Sequence, residues 1–217
     1  MGITSRVEDG IAEVVVDHSP VNALPVAGWF ELAEVVRALG EDRLVRAVVL
    51  RAEGRGFNAG VDIKEMQATE GFDALIGANR GCYAAFAAVY ECAGRWWLRS
   101  TASVSAGASV WWTTPTSSWP PTTQPSGCPR STGGGALGAA THLARLVPQH
   151  KMRAMVYTAA TATAAELHRF GSVLQVVPRD ELRPAALEVA RQIAAKSPTV
   201  IRAAKESLNG IDLWDVK

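Results

Sequence analysis

The stretch of this chain best suited to chemistry is GRGFNAGVDIKEM, residues 54–66. Gly54, Gly56 and Gly60 let a backbone turn sharply and approach a bound group closely. Asp62 followed by Glu65 has the spacing of a capping box at the start of a helix. The pattern by itself leaves two readings open, a ligand loop and a plain Gly-rich turn between a strand and a helix. Other reactive residue types are scattered. His18, His142, His150 and His168 share no ligand spacing, so no metal site is expected. His142 and His168 are expected as surface or cap residues of helices. Cys82, Cys92 and Cys128 are odd in number and lack paired spacing, which predicts a reducing, cytoplasmic setting. Cys92 is expected in the core rather than as a nucleophile. Arg202 and Lys205 could approach phosphates, but a solvated helix face is the plainer expectation.

The elements that would position the Gly-rich stretch are legible upstream of it. SRVEDGIAEVVVDHSP reads as a hairpin: Asp9-Gly10 is a two-residue turn signal, and IAEVVVD is a β-branched strand after it. Pro20 and Pro25 mark a loop. From Val26 to Leu39, Trp29, Leu32, Val36 and Leu39 recur at helical spacing and predict one buried face. VRAVVLRAE is a short, nearly continuous apolar strand of the kind covered on both sides. Strand, strand, helix, strand is an α/β layout with a right-handed crossover. A chain of 217 residues with a net charge of +1 is enough for one domain, residues 1–217, with a real core. That charge points to neither nucleic acid nor an anionic membrane. No signal peptide and no membrane span are expected, because the first residues carry acids and no long apolar run occurs.

Residues 94–132 break the pattern. Trp96, Trp97, Trp111, Trp112 and Trp119 are five of the seven Trp, and five of the eleven Pro fall between 115 and 129. No carboxylate occurs between Glu91 and Glu166, although the chain has 21. The segment has neither strand nor helix periodicity and is expected to pack poorly.

Three motifs carry a family resemblance. GFNAGVDIKEM resembles the A-G-x-D-[IL]-x-E-M signature of the crotonase superfamily, the enoyl-CoA hydratase/isomerase family. PVNAL, residues 20–24, resembles its P-x-N-A-L. GALGAATHLARLVPQHKMRAMVYTAATATAAELHRFGSVLQVVP and AKSPTVIRAAKESLN resemble its later helices. The match covers residues 1–93 and resumes at 135. The resemblance implies an α/β crotonase (ClpP-like) superhelical β-β-α core followed by C-terminal helices, and trimers or hexamers. It implies an acyl-CoA substrate, with coenzyme A entering as part of that substrate and no tightly bound cofactor. Negative charge develops on the thioester oxygen during enolate formation, so such an enzyme aims two backbone N–H groups at it. By resemblance one donor is the N–H of Val61. Ala59, Gly60, Asp62 and Ile63 lie where the family's loop meets adenine, and Val21 and Ala23 where it meets the CoA arm.

The family's second donor, from a G-G-G helix start, and its acid–base Glu residues belong between residues 94 and 134. None is present. Back-translated with G/C-rich codons and shifted by one base, this segment reads PVVAAVNGFCVGGGI and then IGLVDNADVIVASDDATFGLPEVDR. Those are the missing elements in order, which points to an out-of-frame segment that recovers in the Gly run 133–135. The rival reading is a genuine Trp/Pro-rich insertion. In register, the middle Gly of G-G-G falls on Gly107, a possible second N–H donor. The Glu of F-G-x-P-E falls on Arg130. The other Glu falls on Val110, where the restored frame offers Gly, so a single Glu remains, with the Asp of EVDR as a candidate second acid. The expected function is an enoyl-CoA hydratase/isomerase-type reaction through an enolate, impaired in this chain. The alternatives are a CoA-thioester ring-opening hydrolase of steroid degradation, which the single Glu favours, and an inactive CoA-binding paralogue. The family usually continues beyond AAKESLN, so an incomplete cover over the pocket is also expected.

Overall fold

A computed structural model describes residues 2–54, 57–92, 97–100, 110–113, 118–119, 147–158 and 162–214. Strands β1 (Gly2–Glu8) and β2 (Ile11–Asp17) form the expected hairpin, paired from Gly2↔Asp17 to Glu8↔Ile11. Its two-residue turn places Asp9 at φ 50 and Gly10 at φ 76. Both central residues are left-handed, the combination that matches the twist of the flanking strands. Strand β3 (Ala23–Leu24) leads into helix α1 (Val26–Glu41), which crosses to β4 (Ala47–Ala52), parallel to β2. Then come β5 (Gly60–Val61), α2 (Ile63–Ala68) and α3 (Asp73–Glu91). The later elements are β6 (Trp97–Ser100), β7 (Val110–Thr113), β8 (Ser118–Trp119), α4 (Gln149–Thr158), β9 (Ala162–Thr163), α5 (Ala164–Arg169) and β10 (Gln175–Val176). A short 3-10 turn at Arg179–Glu181 precedes α6 (Leu182–Ala194) and α7 (Pro198–Trp214).

The main sheet has the order β1-β2-β4-β6-β7-β10, antiparallel at the hairpin and parallel elsewhere. Its two faces carry separate cores. Val14, Val16, Val48 and Leu50 point to one face, where Trp29, Leu32, Val36 and Leu39 of α1 cover them together with Ala85 and Ala88 of α3. Ile11, Ala47 and Val49 point to the other, against Leu182, Ala186, Ala190 and Ala194 of α6. A strand alternates its side chains, so a strand buried on both faces must be apolar along its buried part, as β4 is from Ala47 to Leu50 before the half-buried Arg51. Full burial of each large aliphatic or aromatic side chain stabilises by about 1.5–3 kcal/mol, so the stripe on α1 is ample to dock it. On α6 the contacts recur every four residues and are mostly Ala, which lets the helix axis come close to the sheet.

Among the described residues, three short strands fall between residues 94 and 132. β6 pairs in parallel with β4 from Val48↔Trp97 to Arg51↔Ser100, and β7 pairs with β6. A β-ladder is made by backbone groups, which any non-Pro residue supplies, and Trp and Val favour the extended state. The sheet therefore continues through a segment whose side-chain pattern does not ask for it.

Candidate active site

The Gly-rich loop leaves the end of β4, where the N–H of Glu53 still donates to the Val16 carbonyl at 2.9 Å. Gly54 follows at φ 78, a conformation open to glycine without strain. Phe57 and Asn58 are buried, and the Asn58 side-chain Oδ1 accepts the Gly60 N–H at 2.7 Å. That local bond closes a tight turn around Gly60, whose φ is 97. The loop then runs as β5 alongside β3, with Ala23 opposite Gly60 and Leu24 opposite Val61.

Two further bonds bracket this short ladder. The Ala59 N–H donates to the Asn22 carbonyl at 3.3 Å and the Asp62 N–H to the Leu24 carbonyl at 2.9 Å. The N–H groups of Ala59 and Asp62, three residues apart, both turn toward the β3 side, because Gly60 at φ 97 interrupts the strict alternation of an extended chain.

Asp62 is the N-cap of α2, and its carboxylate accepts the Lys64 N–H at 2.9 Å. The expected reciprocal half of the capping box is not formed. Glu65 instead accepts the N–H of Val26 at 2.8 Å, at the start of α1. The reason is tertiary: Pro25 opens α1 and has no side-chain cap of its own, so the first free N–H of α1 takes the nearby carboxylate. A reciprocal box does occur at α5, where Thr163 and Glu166 cap each other.

The expected site residues therefore come together only in part. Gly60, Val61, Asp62 and Ala23 share the β3–β5 ladder and its edges. Val21 and Ala59 are exposed beside it, and Ile63 is 59 % exposed on α2. Val110 lies in β7. Gly56, Gly107, Arg130, Cys128 and His142 lie outside the described residues. Among the described residues no group of His, Cys, Asp or Glu could hold a metal ion, and no helix is long and apolar enough to cross a membrane.

The remaining residues weighed above fall as follows. Cys92 is buried, as expected of a core residue. His168 sits in the last turn of α5, with Nδ1 2.9 Å from the Val173 carbonyl. The expectation of a solvated face at Lys205 is corrected. Lys205 is 8 % exposed, and its Nζ donates to the Cys92 carbonyl at 2.8 Å and to Val89 at 3.3 Å. The ammonium meets the C-terminal end of α3, where carbonyls lack helical partners and the helix dipole is negative. Burial pushes its pKa down, and the nearby Cys92 pulls it partly back. Arg202, by contrast, is exposed.

A charged network beside the loop was not anticipated. Arg183 of α6 donates twice to Glu13, at 2.7 and 2.8 Å, and Arg51 donates to the same carboxylate at 2.6 Å. Arg51 also pairs with Glu53, and Arg179 donates to the Gly54 carbonyl. The Arg183 hydrogen bonds and the Arg51 guanidinium, outweighing partial burial, hold the Glu13 carboxyl below its ordinary range. The sequence signal for this network was faint: a Glu and an Arg at alternate positions of otherwise apolar strands.

Comparison with known proteins agrees with this geometry. The family described as "Enoyl-CoA hydratase/isomerase" matches residues 6–93 and 133–211, leaving the Trp- and Pro-rich stretch between the two matched parts. A "(7aS)-7a-methyl-1,5-dioxo-2,3,5,6,7,7a-hexahydro-1H-indene-carboxyl-CoA hydrolase" of Mycobacterium tuberculosis is 56% identical over 224 residues, which span 100% of this chain and 87% of that protein. The protein of the same description from Rhodococcus jostii is 54% identical over 225 residues, 100% of this chain and 84% of that one. In structure, an enoyl-CoA hydratase of Bacillus anthracis superposes with a TM-score of 0.84 at 23% identity, covering 98% of this chain and 84% of that one.

Proposed function

Because the chain belongs to the enoyl-CoA hydratase/isomerase family, we propose that its lineage performs CoA-thioester ring-opening hydrolysis. The observation that carries this choice is the identity of 54% and 56% to two hydrolases along the entire chain, against 29% to an enoyl-CoA hydratase from Mycobacterium leprae. The substrate class is a cyclic β-keto acyl-CoA; the substrate in the two relatives' printed name is a 1,5-dioxo indene-carboxyl-CoA, a ring system with two ketones. Water oxygen bonds to the ring carbonyl carbon and its proton is taken up by a base. The bond from that carbon to the thioester α-carbon breaks. Its electron pair moves onto the thioester as an enolate, and a proton returns to the α-carbon. The Val61 N–H is the donor to the enolate oxygen, and loss of one such donor typically costs about 10²–10³ in rate. Ala59, Asp62 and Ile63 present main-chain groups to adenine, and Val21 and Ala23 line the CoA arm. A panel assay tests the choice. Hydrolysis of a cyclic β-keto acyl-CoA by the frame-restored chain, with no hydration of crotonyl-CoA, is expected. The reverse preference sinks it.

The chain as written is proposed to be catalytically impaired, since residues 94–132 supply neither the G-G-G helix start nor the acid–base Glu. Arg130 stands where that Glu falls, and an arginine stays protonated at any physiological pH. The out-of-frame reading is supported by the coincidence between this segment and the gap in the family match. Turnover within tenfold of the Mycobacterium tuberculosis relative, measured on its substrate, is the result that rejects impairment. A DNA read across codons 90–136 tests the frame directly.

A further inference from the structure

Asn22 is 1 % exposed, an unusual place for a carboxamide unless its polar atoms are matched. Its φ of 58 lies in the left-handed region, which Asn tolerates better than other residues with a side chain. The Oδ1 accepts the His18 N–H at 2.7 Å, and the Nδ2 donates to the Glu53 carbonyl at 2.7 Å. The Asn22 backbone N–H donates to the His18 carbonyl at 2.7 Å, and its carbonyl accepts from Ala59 at 3.3 Å. Those four bonds tie two loops far apart in sequence, one leaving β2 and the other leaving β4. Glu53 and Ala59 stand at the two ends of the Gly-rich loop, so one side chain and its own backbone hold both ends.

Immediately beyond Asn22, β3 pairs with β5. Each of these strands has two residues, and a ladder that short cannot hold its own register. The direction of the Val61 N–H is therefore set by what fixes β3 against β5 from outside. Asp62 to Leu24 fixes one end. Asn22 fixes the other.

We infer that Asn22 is a positioning residue, whose carboxamide holds β3 against β5 and so aims the Val61 N–H at the thioester oxygen. This rests on the role proposed above for Val61. Asn22→Gly is the informative variant: it keeps the left-handed backbone and the main-chain bonds to His18 and Ala59 but loses the side-chain bonds to His18 and Glu53. Asn22→Asp keeps volume and the acceptor to His18 while setting a carboxylate oxygen against the Glu53 carbonyl.

The experiment uses the full chain in its frame-restored form and butyryl-CoA carrying ¹³C at the thioester carbonyl. Isotope-edited infrared reads the bound carbonyl frequency, calorimetry the affinity, and hydrogen exchange the amides of residues 57–63. In the unsubstituted chain the bound carbonyl is expected below its frequency in free butyryl-CoA. In Asn22→Gly that shift falls by half or more, affinity stays within about threefold, and exchange at Ala59 and Asp62 rises about tenfold, while the β1–β2 hairpin is unchanged. An undiminished shift with unchanged exchange overturns the inference. Absence of any shift in the unsubstituted chain overturns the Val61 role instead, and Asn22 is then judged on exchange alone, with no change at Ala59 and Asp62 counting against it. If Asn22→Gly does not fold, Asn22→Asp is read in the same way. Failure of both to melt cooperatively also overturns it, because the carboxamide would then be a requirement for folding rather than for aim.

Discussion

Glu13 is the point at which β2, β4 and α6 are joined by charge. Its carboxylate accepts from Arg183 and Arg51 and is only 14% exposed. Because its folded pKa lies below its unfolded one, ionised Glu13 contributes stability above the ordinary glutamate pKa of about 4.3, and that contribution is lost as pH falls through the folded value. Arg183→Met removes the largest cause of the shift. The expected outcome is a chain whose stability begins to fall at higher pH on acidification, read by urea unfolding between pH 6 and 3; superimposable pH profiles would contradict it. Lys205 runs the other way. Its lowered pKa means that the unfolded chain holds more protons between the folded value and about 10.4, so stability rises with pH across that window. Lys205→Met is expected to abolish that alkaline rise, read by urea melts taken at increasing pH up to about 10.4. It also leaves the Cys92 and Val89 carbonyls without that donor, so a net loss of about 1–3 kcal/mol near neutrality is expected.

At the scale of elements, α1 and α3 pack closely. A Cβ added at Gly81 would lie 2.8 Å from the Trp29 Cβ and 3.4 Å from the Val26 carbonyl, and one at Gly77 would lie 3.0 Å from Val26 Cγ1. The Trp29 ring meets Phe86 at 6.1 Å between centroids. Helices that approach this closely leave no room for a methyl group, and the clashing atoms belong to the stem of Trp29 rather than to a flexible tip. Gly81→Ala is therefore expected to destabilise by about 1–3 kcal/mol, although Ala is the better helix former. Thermal or urea unfolding checks it, and a stabilised variant would show that α1 and α3 are free to separate. The same closeness explains why α3 carries Gly77, Ala78, Gly81, Ala85 and Ala88 along one side, a pattern without obvious meaning until its partner is known.

For the whole molecule, the flanking parts agree on one fold while residues 94–132 contribute strands that only the backbone requires. A chain with such a local conflict specifies its structure less sharply than one in which every level agrees. Reversing the one-base shift near codon 94, with a compensating change in the Gly run, is expected to restore a cooperative melt and CoA-dependent stabilisation. At a CoA concentration of 100 dissociation constants the folded state gains about 2.7 kcal/mol. Paired melts of the two versions, with and without CoA, decide the matter: equal cooperativity and equal CoA shifts would make 94–132 a genuine insertion.

The hairpin, the face of α1 and the double burial of β4 were determined by sequence alone, because each is a short-range pattern. Asp9-Gly10 dictates its turn, a 3.6-residue spacing dictates one buried stripe, and a nearly continuous apolar run dictates two covers. The Gly-rich loop was legible as a loop, and Asp62 as the start of a helix. The partners were not legible, because they depend on which segments meet in space. Glu65 was read with Asp62 three residues away and instead serves Val26, since α1 arrives with an uncapped N-terminus. A solvated face is the plain expectation for a charged residue on a late helix, yet α7 lays Lys205 across the end of α3. Asn22 stood in a quoted motif without a role until the chain brought Glu53 and Ala59 to it. Those assignments belong to tertiary structure for a physical reason: hydrogen bonds and ion pairs are satisfied by the nearest buried partner, and nearness across more than thirty residues is settled only when the sheet and helices pack.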